Sequence, residues 1–205
     1  MAARLTRILV FAREPVAGKA KTRLIPALGP EGAARLARVM LGHALMEAAG
    51  AGIGPVELVG DPHPDTWNRP VRGMATSAQV GADLGERMGG AVERTLTGGE
   101  RAIVTGTDCP RLDAARIGEA ARSLDAHDAA IIPATDGGYV LIGFARFDRS
   151  VFANVEWGNG DVLAATLANI EPLGWTVWQG EPLADIDDPA DLKHVPATWL
   201  VGEDR

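Results

Sequence analysis

Apolar positions fall into short continuous runs and longer stretches of helical period, in alternation. Ile8, Leu9, Val10 and Phe11 form an unbroken run, which predicts a strand buried on both faces of a parallel sheet. From Pro30 to Ala49 alanine dominates, with Leu36, Met40 and Ala44 at helical spacing. A second strand is expected over Val56–Val59, ending at Gly60 and Asp61. Asp83 then precedes a helix in which Leu84, Met88, Val92 and Leu96 repeat every four residues. Asp83 as N-cap, with Glu86 three residues on, resembles a capping box. A third strand spans Ala102–Val104, and a helix from about Asp113 to Leu124 leads to a strand at Ala129–Pro133. Gly137 and Gly138 break the chain before a strand at Tyr139–Phe144. A helix near Asp161–Asn169, a strand near Trp175–Trp178 and a short helix opened by Pro189 complete the pattern. Strands alternating with helices predict an α/β fold with a mostly parallel sheet and right-handed crossovers. Without a repeat, a low-complexity tract or a linker-like boundary, residues 1–205 are expected to form one domain.

Composition narrows the setting. The chain has 205 residues, 46% of them hydrophobic, enough to bury a core without staples. Its single cysteine, Cys109, excludes an intramolecular disulfide and a four-thiolate zinc site. No apolar run approaches the roughly 20 residues of a spanning helix. Arginine interrupts the opening MAARLTRILVFAR before a signal-peptide core can form. A cytoplasmic setting is therefore expected. A net charge of −7 argues against nucleic-acid or membrane partners.

Against that acidic background the lysines stand out. The 20 basic residues include only three lysines, and two of them, Lys19 and Lys21, fall in the loop after the first strand. That loop, REPVAGKAKTR, carries Arg13, Lys19, Lys21 and Arg23 against one acid, Glu14. A solvated surface loop would explain the charge alone. Lysine as a point charge and arginine as a fork on phosphate oxygens would explain it as an anion site. In the second case the side chains are expected to be exposed before ligand binds.

Open α/β sheets bind ligands beyond the carboxyl ends of their strands. The third strand leads to Asp108, the Ala129–Pro133 strand to Asp136-Gly137-Gly138-Tyr139, and the last strand to Asp185-Ile186-Asp187-Asp188. Each has a structural explanation: a helix cap at Asp108, a tight turn at Asp136–Gly138, caps for the terminal helix at Asp185–Asp188. Their coincidence with the basic loop favours a nucleotide site with a hard divalent cation, carboxylates for the ion and cations for the phosphates. Period-two alternation would turn Asp185 and Asp187 to one side and Ile186 into the core. Other chemistries fit less well. The loop lacks the spacing of a P-loop, and Gly50, Gly52 and Gly54 do not make G-x-G-x-x-G. His43, His63, His127 and His194 lack zinc spacing, and no G-x-S-x-G is present. Cys109 beside Asp108 reads as structural.

The motifs FAREPVAGKAKTRL, QVGADLGERM, GTDCPRL, PATDGGYVLIG and DIDDPADL, in that order, resemble a bacterial family of nucleotide-diphospho-sugar transferases, some labelled arsenosugar-biosynthesis glycosyltransferases. The resemblance runs from about Ile8 to Leu192. It implies a glycosyltransferase A-type fold, a three-layer α/β sandwich with a Rossmann-like sheet shared with nucleotidylyltransferases. The first loop also resembles that of phospholactate-type guanylyltransferases. Carried onto this sequence, the resemblance assigns nucleotide and phosphate contacts to Arg13, Lys19, Lys21, Arg23, Gln79, Gly81, Asp83 and Arg87. It assigns Mg²⁺ or Mn²⁺ to Asp108, Asp185 and Asp187, catalytic roles to Asp108 and Asp187, and the acceptor side to Asp136, Gly137, Gly138 and Tyr139. A full D-x-D is absent, because Gly106 holds the earlier position, and Gly158-Asn159-Gly160 replaces the family's more usual Ser-Thr after Trp157. The expected reaction is glycosyl transfer from a nucleoside-diphosphate sugar to a small acceptor. The alternatives are nucleotidylyl transfer to a phosphorylated small molecule and non-catalytic nucleotide binding.

Overall fold

The computed structural model describes residues 4–69 and 71–200; the first three residues of the N-terminal stretch lie outside it. Seven strands form one sheet: β1 (Thr6–Arg13), β2 (Val56–Asp61), β3 (Ala75–Ala78), β4 (Arg101–Thr105), β5 (Ala129–Pro133), β6 (Tyr139–Phe144) and β7 (Val177–Gln179). Their order is β3-β2-β1-β4-β6-β5-β7. All neighbours run parallel except at β6, which pairs antiparallel with β4 and β5. The sheet is thus mostly parallel, as the pattern predicts.

The apolar run of β1 lies between β2 and β4, and its alternate residues feed two cores. Ile8 and Val10 join Leu58, Ile103 and Leu141 on the face covered by α1 (Ile25–Gly50) and α3 (Ala114–Ser123). Leu9 and Phe11 join Val104, Ile131 and Ile142 on the other face, under α2 (Leu84–Thr97), with α4 (Val162–Ile170) packed on the same side. Asp83 caps α2 as expected, its carboxylate accepting the Glu86 amide at 2.8 Å. Asp113 caps α3 in the same way at 2.9 Å. The helix predicted from Pro30 starts earlier, at Ile25, with a break at Gly29, where φ is +70°. None of the helices among the described residues is long and apolar enough to cross a membrane.

A third core has the strongest bearing on the site. Leu24, just before α1, and Leu36 and Met40 within it enclose Ile186 and Val195 from the C-terminal segment. Ile186 is wholly buried, and Asp185 and Asp187 on either side of it are only partly buried. The basic loop and the last acidic motif are thereby fastened together.

At the sheet edge a buried carboxylate ties four elements. Glu57 of β2 accepts from Arg94 of α2 at 2.8 Å, from Ser77 of β3 at 2.6 Å and from Arg7 of β1 at 3.4 Å. Burial works to raise its pKa, but Arg94, Ser77 and Arg7 outweigh it and hold the carboxyl below the usual glutamate range. A depressed carboxylate stabilises the fold above the unfolded value of about 4.3, and that contribution fades as pH falls through the lower folded value. Glu57→Gln should cost about 1–3 kcal/mol at neutral pH, because Arg94 is half exposed and recovers part of its solvation. It should also flatten the acid limb of the stability curve. Urea titrations at pH 7 and pH 4 check both, and an unchanged acid limb would show that Glu57 does not contribute to the pH dependence of stability.

Candidate functional site

The carboxyl ends of β1, β4 and β5 open on one rim of the sheet, where the loops after them meet the C-terminal segment. Beyond β5, Ala134 bridges to Leu183 in parallel register, and the Thr135 amide donates to the Leu183 carbonyl at 3.0 Å. The chain that follows, Asp185–Asp187, is thus laid alongside Asp136. It is also tied to the β4 end, since the Ile186 amide donates to the Asp108 carbonyl at 2.9 Å. Asp188 and Asp191 serve the terminal helical turn instead: the Asp191 carboxylate accepts the amides of Asp188 at 2.8 Å and Asp187 at 3.1 Å. Local capping is therefore supplied without the carboxylates of Asp185 and Asp187.

Three carboxylates, Asp136, Asp185 and Asp187, each place an oxygen within 4.8 Å of the others. This is an all-oxygen donor set of the kind that hard divalent cations take. Burial pushes the Asp185 carboxyl up to about 6, with Asp136, Asp187 and Asp108 adding repulsion. A cation placed among them would relieve that repulsion, so the residues present fit Mg²⁺ or Mn²⁺. Asp108 lies just outside the set. Its carboxylate pairs with Lys21 Nζ at 2.9 Å and accepts from the Thr107 hydroxyl at 3.0 Å.

Lys21 differs from the exposed cation that the loop's composition suggests. Its side chain is only 11% exposed, and its ammonium contacts Asp108 and Asp187, each at 2.9 Å, and the Ile186 carbonyl. An ammonium has three donors, and all three are used. Burial works to lower the Lys21 pKa, but the two carboxylates overcome it and raise the value. The backbone at Lys21 is left-handed, with φ +46°, a conformation that costs a residue with a side chain about 1–2 kcal/mol. It persists because the ion pairs on one side and buried Leu24 on the other fix the turn.

The other basic residues of the loop remain accessible. Arg23 is 64% exposed and stands 3.8 Å from Asp187, and Arg13 and Lys19 are exposed.

The segment from Gln79 to Arg87 spends much of its polarity on the fold. The Gln79 side-chain amide donates to the carbonyls of Ala12 and Val59 at 3.0 and 3.1 Å, closing the ends of β1 and β2. Arg87 pairs with Asp61 and donates to the Gly81 carbonyl, both at 3.1 Å.

Asp136-Gly137-Gly138 forms a tight turn, with the Gly138 amide donating to Asp136 at 2.9 Å. Gly137 has φ +94°, and a Cβ there would overlap the Gly160 carbonyl. Its own carbonyl accepts the Leu163 amide at 2.9 Å, at the start of α4. Gly137→Ala should therefore lower stability by about 1–3 kcal/mol and weaken divalent-cation binding, because Asp136 must shift with the turn. A thermal melt and a Mn²⁺ titration check this; parent-like values in both would show that the turn does not set the position of Asp136.

A cleft of about 250 Å³ opens beside the acids, lined by Asp136 and Asp185 together with Phe11, Leu84, Met88 and Trp157. A larger cavity, about 490 Å³, lies under Pro15–Ala17 against α1 and Trp67. The smaller one carries the functional argument because carboxylates of the cation set line it. Cys109, buried, has its thiol pushed up to about 11 by burial and makes a poor nucleophile. Leu84, Met88 and Trp157 were not among the candidates: Leu84 and Met88 sit in an ordinary apolar helix stripe, and only the packing of α2 on the sheet turns them to the cleft.

A family model for an uncharacterized protein conserved in bacteria, DUF2064, matches residues 39–159. The chain belongs to the DUF2064 family. No curated protein matches it in sequence. Among solved structures, a Desulfovibrio desulfuricans G20 protein provisionally named a nucleotide-diphospho-sugar transferase is 33% identical, with TM-score 0.82, over 89% of this chain and 82% of its own. The CMP:2-keto-3-deoxy-manno-octonic acid synthetase complexed with CTP is similar at TM-score 0.54 and 13% identity, covering 93% and 96% of the two chains. Rv0371c of Mycobacterium tuberculosis H37Rv, in complex with manganese, is similar at TM-score 0.56 and 18% identity, over 94% and 97%. At such identities the last two show the fold alone. This DUF2064 chain thus has the sheet shared by nucleotidyltransferases and nucleotide-sugar transferases.

Proposed function

We propose that this DUF2064 protein is a metal-dependent transferase that takes a nucleoside-diphosphate sugar and passes the glycosyl group to a small acceptor. The observation that carries the reading is the convergence of Asp136, Asp185 and Asp187, with oxygens within 4.8 Å, beside an exposed arginine and an open cleft. Asp136, Asp185 and Asp187 would hold Mg²⁺ or Mn²⁺, which when bound supplies charge neutralisation for a departing diphosphate. Arg23 offers its fork to the phosphate oxygens, and Arg13 and Lys19 add positive charge along the same loop. Lys21 acts on the protein side: it orients Asp187 towards the cation set and holds Asp108 in register with it. Gln79 and the Gly81–Arg87 segment close the strand ends where the nucleoside would lie. The Desulfovibrio protein's provisional name agrees with this reading.

The test is incubation with a panel of nucleoside-diphosphate sugars, or of nucleoside triphosphates with sugar phosphates, each with and without Mn²⁺. Products are read by mass. Mn²⁺-dependent release of nucleoside diphosphate supports glycosyl transfer. Release of pyrophosphate would assign nucleotidylyl transfer instead. Binding of nucleotides without turnover of any donor would favour a binding protein.

A further inference from the structure

The cleft beside the acids has a chemistry of its own. Among the described residues that line it, the charged ones are Asp136 and Asp185, and none is lysine, arginine or histidine. Apart from Thr105 and Asn159 the remaining side chains are apolar or aromatic, among them Phe11, Leu84, Met88 and Trp157. Trp157 is held in place: a Cβ on Gly85 would come within 2.9 Å of its ring, so the glycine lets the indole approach α2 closely. Phe152 braces it edge-on at 5.9 Å. Leu84, on the same wall, is 40% exposed.

We infer that the co-substrate held in this cleft is an uncharged, hydroxyl-bearing ring, and not a phosphate ester. The assignment of the cleft to a co-substrate rests on the proposed function; the ligand class rests on the lining. A phosphate monoester carries close to two negative charges at neutral pH. Placed here it would meet two carboxylates and no cationic side chain, a like-charge juxtaposition in a partly desolvated site. The divalent ion does not reverse this balance, because its two charges face the carboxylates of Asp136, Asp185 and Asp187 and a nucleoside diphosphate as well. A neutral ring meets no such penalty. One face packs on Trp157, Leu84 and Met88, while hydroxyls reach the polar side formed by Asp136, Asp185 and Asn159.

The experiment uses a matched pair, benzyl alcohol and benzyl phosphate. Each is titrated into the intact protein saturated with Mg²⁺, with and without UDP or GDP. The Trp157 indole N–H resonance, assigned by its loss in Trp157→Phe, reports binding, and calorimetry on the same samples reports the nucleotide. Benzyl alcohol should shift that resonance and bind at least tenfold more tightly than benzyl phosphate. Leu84→Arg, which puts a cation on the cleft wall at a partly exposed position, should reverse the preference. Equal or tighter binding of benzyl phosphate to the unaltered protein, or no shift with either probe, would overturn the inference. Absence of UDP and GDP binding would count against the proposed function, whereas the ratio of the two probes reads the cleft independently.

Discussion

Asp187→Asn will reduce divalent-cation affinity by more than about 100-fold, the upper range for groups that merely support metal ligands. Asp187 is where the site's two charge systems meet. One oxygen pairs with Lys21 at 2.9 Å, and the residue belongs to the set with Asp136 and Asp185. Removing its charge takes away a hard ligand and also frees the ammonium that orients it. The fold should lose far less, about 1 kcal/mol or under, because the Asp187 side chain is 44% exposed and its ion pair is screened. Metal-dependent nucleotide binding should fall with the cation. Asp108→Asn is the instructive comparison, since that carboxylate contacts Lys21 but lies outside the triad. It should weaken the cation less than Asp187→Asn does. Calorimetric titration of Mn²⁺ into each variant decides the order, and equal losses would place Asp108 among the ligands.

Lys21→Ala will lower the melting temperature by about 4–12 °C, the shift expected for about 2–3 kcal/mol in a protein of this size. The lysine is nearly buried, and its loss leaves Asp108 and Asp187 facing Asp185 and Asp136 without the central cation. The cost stays below that of breaking a fully buried pair because both carboxylate partners reach solvent. Since the folded-state pKa is raised, the stabilisation is fully present below the unfolded lysine value of about 10.4. It is lost as pH rises further, through the folded value. The parent should therefore converge on the variant at strongly alkaline pH. Saturating Mn²⁺ should raise the melting temperature of Lys21→Ala more than that of the parent, because the ion restores positive charge to the same carboxylates. Arg23→Ala, at an exposed position, should leave it nearly unchanged. A stable Lys21→Ala protein, indifferent to Mn²⁺, would show that the lysine does not organise the acids.

Much of this arrangement was legible in the sequence. The run Ile8–Phe11 and the four-residue repeat from Leu84 to Leu96 announce their elements because burial on a strand or a helix imposes those periods. The acids after the strands mark the ligand rim because a parallel sheet gathers its carboxyl ends, and Ile186 turns inward as alternation requires. What escaped depends on distant partners. β3, Ala75–Ala78, has no apolar period and is held at the edge by Ser77 and buried Glu57. The short link through Gly137 and Gly138 already forces β6 antiparallel to β5, but the insertion of β6 between β4 and β5 leaves no mark in residue pattern. Asp136 joins Asp185 only because Leu183 pairs with Ala134 beyond the sheet. Lys21 reads as exposed because lysine in a Gly- and Pro-containing loop usually is, and its partner Asp187 lies 166 residues away.

The proposed function requires one divalent cation among Asp136, Asp185 and Asp187. Anomalous diffraction from crystals grown with MnCl₂ and a nucleoside diphosphate would locate it. A manganese peak is expected about 2.0–2.4 Å from an oxygen of each of the three carboxylates, with diphosphate oxygens completing the shell and Lys21 still paired to Asp108. A peak bound to Asp108 and remote from Asp136, or nucleotide bound with no manganese at the acids, would contradict it.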